Sequence, residues 1–186
     1  MIAAVAIVLG LAAGLLSGGT LRDAGRIYLK CEWVLLVVFV VQGVARGRLA
    51  GTTASSLGLA VWVASSILLV VLLAANWSSP GALVAAIGVV SNLDVVLLNW
   101  GMPVATGATP RVLEVIARSA GFYRLAGPGT LAVWAGDTLP FRALGQSELF
   151  SVGDVLLSVG VAVLIAGAMT RPCAVMAERN QPPESE

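Results

Sequence analysis

The segment Gly136–Ser158, G-D-T-L-P-F-R-A-L-G-Q-S-E-L-F-S-V-G-D-V-L-L-S, decides how the chain is read. Its first part is a turn, Asp137-Thr138-Leu139-Pro140, in which the acid can bond its own backbone. Its last part runs from Ser151 and Asp154 straight into an apolar stretch ending near Ala168, which reads as a membrane span over about 152–168. Two acids, Asp137 and Asp154, are thereby expected near one membrane surface. Ser151-x-x-Asp154 ahead of an apolar run is a capping-box pattern, in which the hydroxyl takes an orphan N–H and the acid suits the helix N-terminus. The same two acids, brought together at an apolar boundary, can alternatively share a proton and act as base and acid.

The composition around this segment requires a bilayer. With 58% of residues hydrophobic and 11% charged, and a mean hydropathy of +0.94, the chain cannot present a polar surface on all sides. The net charge is +1, and Lys and Arg are scattered without a basic stripe, so nucleic acid is not an expected partner. The lack of any His excludes Ser-His-Asp and Cys-His catalysis and His-ligated metals. Cys31 and Cys173 stand in no metal or redox spacing. No Walker or G-x-G-x-x-G pattern is present. Neither a cofactor nor a metal is expected.

A hydrocarbon core of roughly 30 Å needs about 20 helical residues. Apolar runs at about 1–19, 31–44, 57–75, 82–98 and 152–168 supply five expected spans, and the first is read as retained because it has neither a basic leader nor a cleavage site. The fold class expected is all-α: a polytopic membrane bundle of about five transmembrane helices, forming one domain over 1–170, with a polar tail at 171–186. Gly10, Gly14 and Gly18 line one face of the first run, and Gly153, Gly160 and Gly167 recur every seventh residue in the last. Small residues so spaced let another helix approach closely. Asn76-Trp77-Ser78-Ser79-Pro80-Gly81 reads as a tight loop joining an antiparallel pair.

The run over 82–98 carries Asn92 and Asp94 and ends at Asn99. Asn92 and Asn99, seven apart, share a face and can line one site, whereas Asp94 points elsewhere. An acid within a span must pair, lose its charge or serve a function. The connection over 99–150 contains Thr109-Pro110 followed by a helical pattern to Ala120, with Val112, Val115 and Ile116 on one side and Arg111, Glu114 and Arg118 on the other. This is expected to be a short amphipathic helix on the bilayer surface. Phe122, Tyr123, Trp134, Phe141 and Phe150 are expected at the same depth. Arg22, Arg26 and Lys30 share a side with the C-terminus, and the positive-inside rule then places that end in the cytoplasm.

The stretches L-L-S-G-G-T-L-R-D-A-G-R (Leu15–Arg26), L-N-W-G-M-P-V (Leu98–Val104), A-G-D-T-L-P (Ala135–Pro140) and F-S-V-G-D-V-L-L-S-V-G (Phe150–Gly160) together resemble a family of small bacterial multipass membrane proteins described only as a domain of unknown function. The resemblance covers nearly the whole chain. It implies the bacterial inner membrane and carries no activity. Locally, F-S-V-G-D is similar to the F-N-x-A-D motif of lipoprotein signal peptidase, an intramembrane aspartyl protease. That likeness implies Asp154 and Asp137 as a catalytic pair and gives Asn92 the place of an Asn in the family's G-N-x-x-D-R motif. The chain departs from it at Ser151, Gly153, Thr138 and Val95, and no Arg follows Asn92.

Three functions are therefore expected, in order. The first is an accessory or lipid-handling membrane protein whose partners are membrane lipids or another membrane protein. The second is an aspartyl-type membrane hydrolase acting on a lipid or membrane peptide, with Asp137 and Asp154 catalytic, and Asn92, Asn99, Ser151 and Asp94 contributing to substrate binding. The third is a small transporter centred on Asp94.

Overall fold

Apolar sequence without internal breakers becomes helix because a helix satisfies its own backbone, and turn chemistry then sets where each helix stops. The computed structural model describes residues 2–24, 29–47, 55–105, 110, 113–114, 116, 122–143 and 146–170. In chain order they form α1 (Ile2–Leu16), α2 (Leu21–Ala24), α3 (Glu32–Gly47), α4 (Ser55–Ala75), α5 (Ala82–Asn99), β1 (Met102–Val104), β2 (Tyr123–Leu125), a 3-10 turn (Val133–Ala135), β3 (Leu139–Ala143), β4 (Gln146–Phe150) and α6 (Val152–Thr170).

The all-α expectation is corrected by two small sheets. β1 pairs in parallel with β2, and β3 pairs antiparallel with β4, from Leu139 opposite Phe150 to Ala143 opposite Gln146. The expected count of about five spans is also corrected. Among the described residues three helices are long and apolar enough to cross a bilayer, over Leu57–Ala75, Ala82–Asn99 and Val152–Thr170. The apolar stretches Ala4–Leu16 and Trp33–Val44 are shorter. The described parts of α1 and α3, 15 and 16 residues, fall below the about 17 residues at the lower end of crossing lengths. α1 stops because Gly18 adopts the left-handed conformation (φ 86°), a C-terminal stop that glycine allows without strain. Of the expected surface helix, Pro110, Leu113, Glu114 and Ile116 are helical. The rest of it, and the tail at 171–186, lie outside the described residues.

α1 and α5 both pack on α6, while α4 packs on α5 and α3 on α4. A Cβ placed on Gly10 would lie 3.0 Å from Ala162 Cα, and one on Gly14 would meet Met169, so α1 runs parallel to α6. On the α5 side, Gly153 meets Asn92 and Gly88, Gly160 meets Ala85, and Gly167 meets Pro80, an antiparallel register in which the seven-residue glycine series faces α5. Gly18, by contrast, has nothing within 4 Å. In lipid this close backbone approach, rather than water exclusion, holds helices together.

α4 and α5 form the expected hairpin, and its turn is tied to the chain ahead of α3. Asn76 is buried, accepts from the Lys30 backbone N–H at 2.7 Å, and donates to the Lys30 carbonyl at 3.1 Å and the Leu72 carbonyl at 2.8 Å. Asn76→Ala would strand these backbone groups and is expected to cost about 2 kcal/mol. The check is the thermal midpoint of the detergent-solubilised protein; an unchanged midpoint would show that the tie contributes nothing.

At the opposite end, the long connection folds back over the bundle. Phe122 packs edge-on against Trp62 of α4, with centroids 5.2 Å apart, and both belong to a core with Leu93, Val95, Val96 and Met102. Phe122 and Phe150 are thus buried rather than interfacial, whereas Trp134 is exposed. The side chain of Phe141 lies outside the described residues.

Candidate functional site

The sequence S-V-G-D at residues 151–154 starts α6, and each of its polar groups is consumed there. Ser151 Oγ accepts from the Asp154 backbone N–H at 2.9 Å, and Asp154 Oδ2 accepts from the Ser151 N–H at 3.4 Å, which closes a reciprocal cap. Asn92 of α5 completes a ring across the helix pair. Its Oδ1 accepts from Ser151 Oγ at 2.7 Å, and its Nδ2 donates to Asp154 Oδ1 at 2.8 Å. The directions agree with one another. The Ser151 proton goes to the amide oxygen because the hydroxyl oxygen is already an acceptor, and this orients the amide NH2 toward the carboxylate. Gly153 makes room for the arrangement, since a Cβ there would fall on Asn92 Oδ1. Ser151 and Asn92 are buried. The negative charge of Asp154 also sits in the first turn of α6, where the helix dipole favours it.

Asp137 is placed on a different element. It lies next to β1, where its N–H donates to the Pro103 carbonyl at 2.8 Å and its carbonyl accepts from the Ala105 N–H at 3.2 Å. A Cβ on Gly136 would come 2.5 Å from the Pro103 carbonyl oxygen, so the glycine ahead of the acid permits this approach. Asp137 is buried. The bonds of the Asp154 carboxylate lead to Asn92 and Ser151 rather than to Asp137. Among the described residues no group of three or more His, Cys, Asp or Glu is placed to hold a metal.

Asn92 and Asn99 share a helix face but serve separate clusters. Asn99 accepts from the Leu131 N–H at 2.9 Å and donates to the carbonyls of Leu131 and Val95 at 3.0 and 2.9 Å, which clamps the 127–131 loop to the end of α5. Asp94 is exposed, on the same outer face as Leu83, Ile87, Val90 and Leu97.

Beside the Asn99 clamp lies a cavity of about 340 Å³ that the residue pattern alone did not indicate. Its walls include Trp100, Pro103, Arg124, Leu125, Pro128 and Leu131. The legible part was Gly127-Pro128-Gly129, a turn signal. The pairing that sets Arg124 opposite Pro103 joins residues some twenty apart and leaves no local trace.

Residues 26–166 match the model of a family of unknown function, DUF5317. The chain belongs to this family. The DUF5317 match takes in the clasp between α5 and α6, both small sheets and the cavity beside the Asn99 clamp, so these features belong to the matched region rather than to the chain's ends. No curated protein and no solved structure matches the chain. The likeness of F-S-V-G-D to a signal peptidase finds no support in these comparisons.

Proposed function

We propose that this DUF5317 protein is an accessory, lipid-handling protein of the cell membrane, in which Asp154 at the α6 entrance and Asp137 beside β1 are scaffold. One observation carries the reading: the Asn92, Ser151 and Asp154 ring uses the carboxylate to join α5 to α6. A carboxylate engaged on both oxygens in a helix cap is poorly suited to shuttle protons during turnover. Asp94, turned outward on an apolar face, gives no support to a transport centre. On this reading residues 1–170 form one membrane domain, and the charges of Arg22, Arg26 and Lys30 put the C-terminal end of α6 in the cytoplasm.

The test is native mass spectrometry of the gently extracted full-length protein, combined with assays on vesicle lipids and a membrane peptide. Retained phospholipid is expected, with Asp137→Asn and Asp154→Asn acting only through the thermal midpoint. Hydrolysis by the wild type that disappears in both variants at unchanged midpoint would overturn the reading in favour of a hydrolase.

A further inference from the structure

The cavity at the end of α5 has the features of a head-group site. Trp100 caps α5 in the left-handed conformation (φ 53°) and is 71% exposed, as is Trp134, and such exposed Trp at the end of an apolar span marks the headgroup level. Leu98, Leu125 and Leu131 on the cavity wall are each more than half exposed. Among the described lining residues Arg124 is the one charged side chain, and it too is exposed. A guanidinium beside walls that are about half apolar suits a group that is anionic at one end and hydrocarbon at the other.

Two further observations bear on fit. The cavity is braced before any ligand arrives, because the Asn99 clamp holds Leu131 and the β1–β2 register holds Arg124 opposite Pro103. The end of a helix would ordinarily repel an anion through its free carbonyls. Here the Val96 carbonyl accepts from the N–H groups of both Trp100 and Gly101, which engages one of the last-turn carbonyls and leaves Arg124 to offset the rest. About 340 Å³ lies at the lower end of the range for small-molecule sites.

We propose that this cavity binds the phosphate-bearing head group of an anionic bilayer lipid, with Arg124 as the charge partner and Trp100, Leu125 and Leu131 against the glycerol and first methylenes. The proposal rests on the lipid-handling reading and adds the charge class of the lipid and the residue that selects it.

The experiment uses the full-length protein in neutral detergent, titrated with phosphatidylglycerol, phosphatidylcholine or inorganic phosphate, and read by native mass spectrometry. The wild type is expected to retain phosphatidylglycerol over phosphatidylcholine by about fivefold, the factor one interfacial basic residue carries. Arg124→Gln is expected to remove that preference at unchanged thermal midpoint, and Arg124→Lys to keep part of it. Leu131→Asp, which leaves the backbone clamp in place and sets a like charge against the ligand, is expected to remove it as well. Equal retention of the two lipids by the wild type, or a preference that survives Arg124→Gln, overturns this inference and leaves the lipid-handling reading standing. Phosphate that displaces phosphatidylglycerol at equal concentration overturns the lipid as the source of the anion. Failure to retain either lipid sinks the underlying reading and the proposal with it.

Discussion

Gly160→Val is expected to prevent the protein from accumulating as a folded, monodisperse species. A Cβ at this position would lie 2.7 Å from both Cα and Cβ of Ala85. The obstruction includes helix backbone, so no rotamer change relieves it, and α5 and α6 would have to separate along the contact. Overpacking a close-packed core costs about 1–3 kcal/mol and more where backbone must move. Lipid offers little in return, because apolar surface exposed to acyl chains is not driven back together as it would be in water. The thermal midpoint in detergent should fall by about 10 °C or more if any folded protein survives. Gly43→Ala is the matched control. Gly43 lies in α3 with nothing within 4 Å, and alanine there should be neutral or stabilising by up to about 1 kcal/mol. Equal midpoints for Gly160→Val and the wild type would mean that the helices do not meet at this glycine.

Asn92→Leu should be the most damaging change to a polar side chain. It removes the acceptor of the Ser151 hydroxyl and a donor to Asp154 in one step. Each buried group left unsatisfied costs about 1–3 kcal/mol, so a loss of about 3 kcal/mol is expected. Asp154→Asn should cost less, since its amide oxygen can still accept from Asn92 and its backbone N–H still reaches Ser151. A double-mutant cycle of Asn92→Ala and Asp154→Ala separates the ring from two unrelated losses. The expected coupling is about 1 kcal/mol or more. Strict additivity would show that the two side chains do not act on each other, and the scaffold reading of Asp154 would lose its basis.

Much of the α6 entrance was legible because a helix N-terminus states its needs locally. Ser151 and Asp154 are three residues apart, and orphan N–H groups call for that pattern whatever lies around them. What the pattern could not disclose was Asn92, which lies on a different helix and joins the ring only because Gly88 and Gly153 let the two backbones close. Helical periodicity likewise put Asn92 and Asn99 on one face, yet faces are not neighbours. A translation of two turns along α5 carries Asn99 beyond the start of α6 and onto the Leu131 loop.

The sheets were missed for two different reasons. β3 and β4 are separated in sequence by Leu144-Gly145, which is not one of the usual two-residue hairpin pairs, and Pro140 within β3 argues locally against a strand. β1 and β2 have three residues each, too few to show a period, and their pairing is not local. Aromatic character alone points Phe122 to the bilayer surface, because it does not distinguish an interfacial ring from one packed edge-on against Trp62.

Membrane residence, the helical hairpin around Asn76 and the glycine ridges of α1 and α6 were determined by sequence alone, since hydropathy, turn residues and small-residue spacing act over a few neighbours. The tertiary structure decided which helices are long enough to cross, which amide meets Asp154, and that Arg124 faces a braced cavity beside Trp100. Each of those depends on where distant segments stop and touch, and no local preference encodes a distance between two parts of a chain.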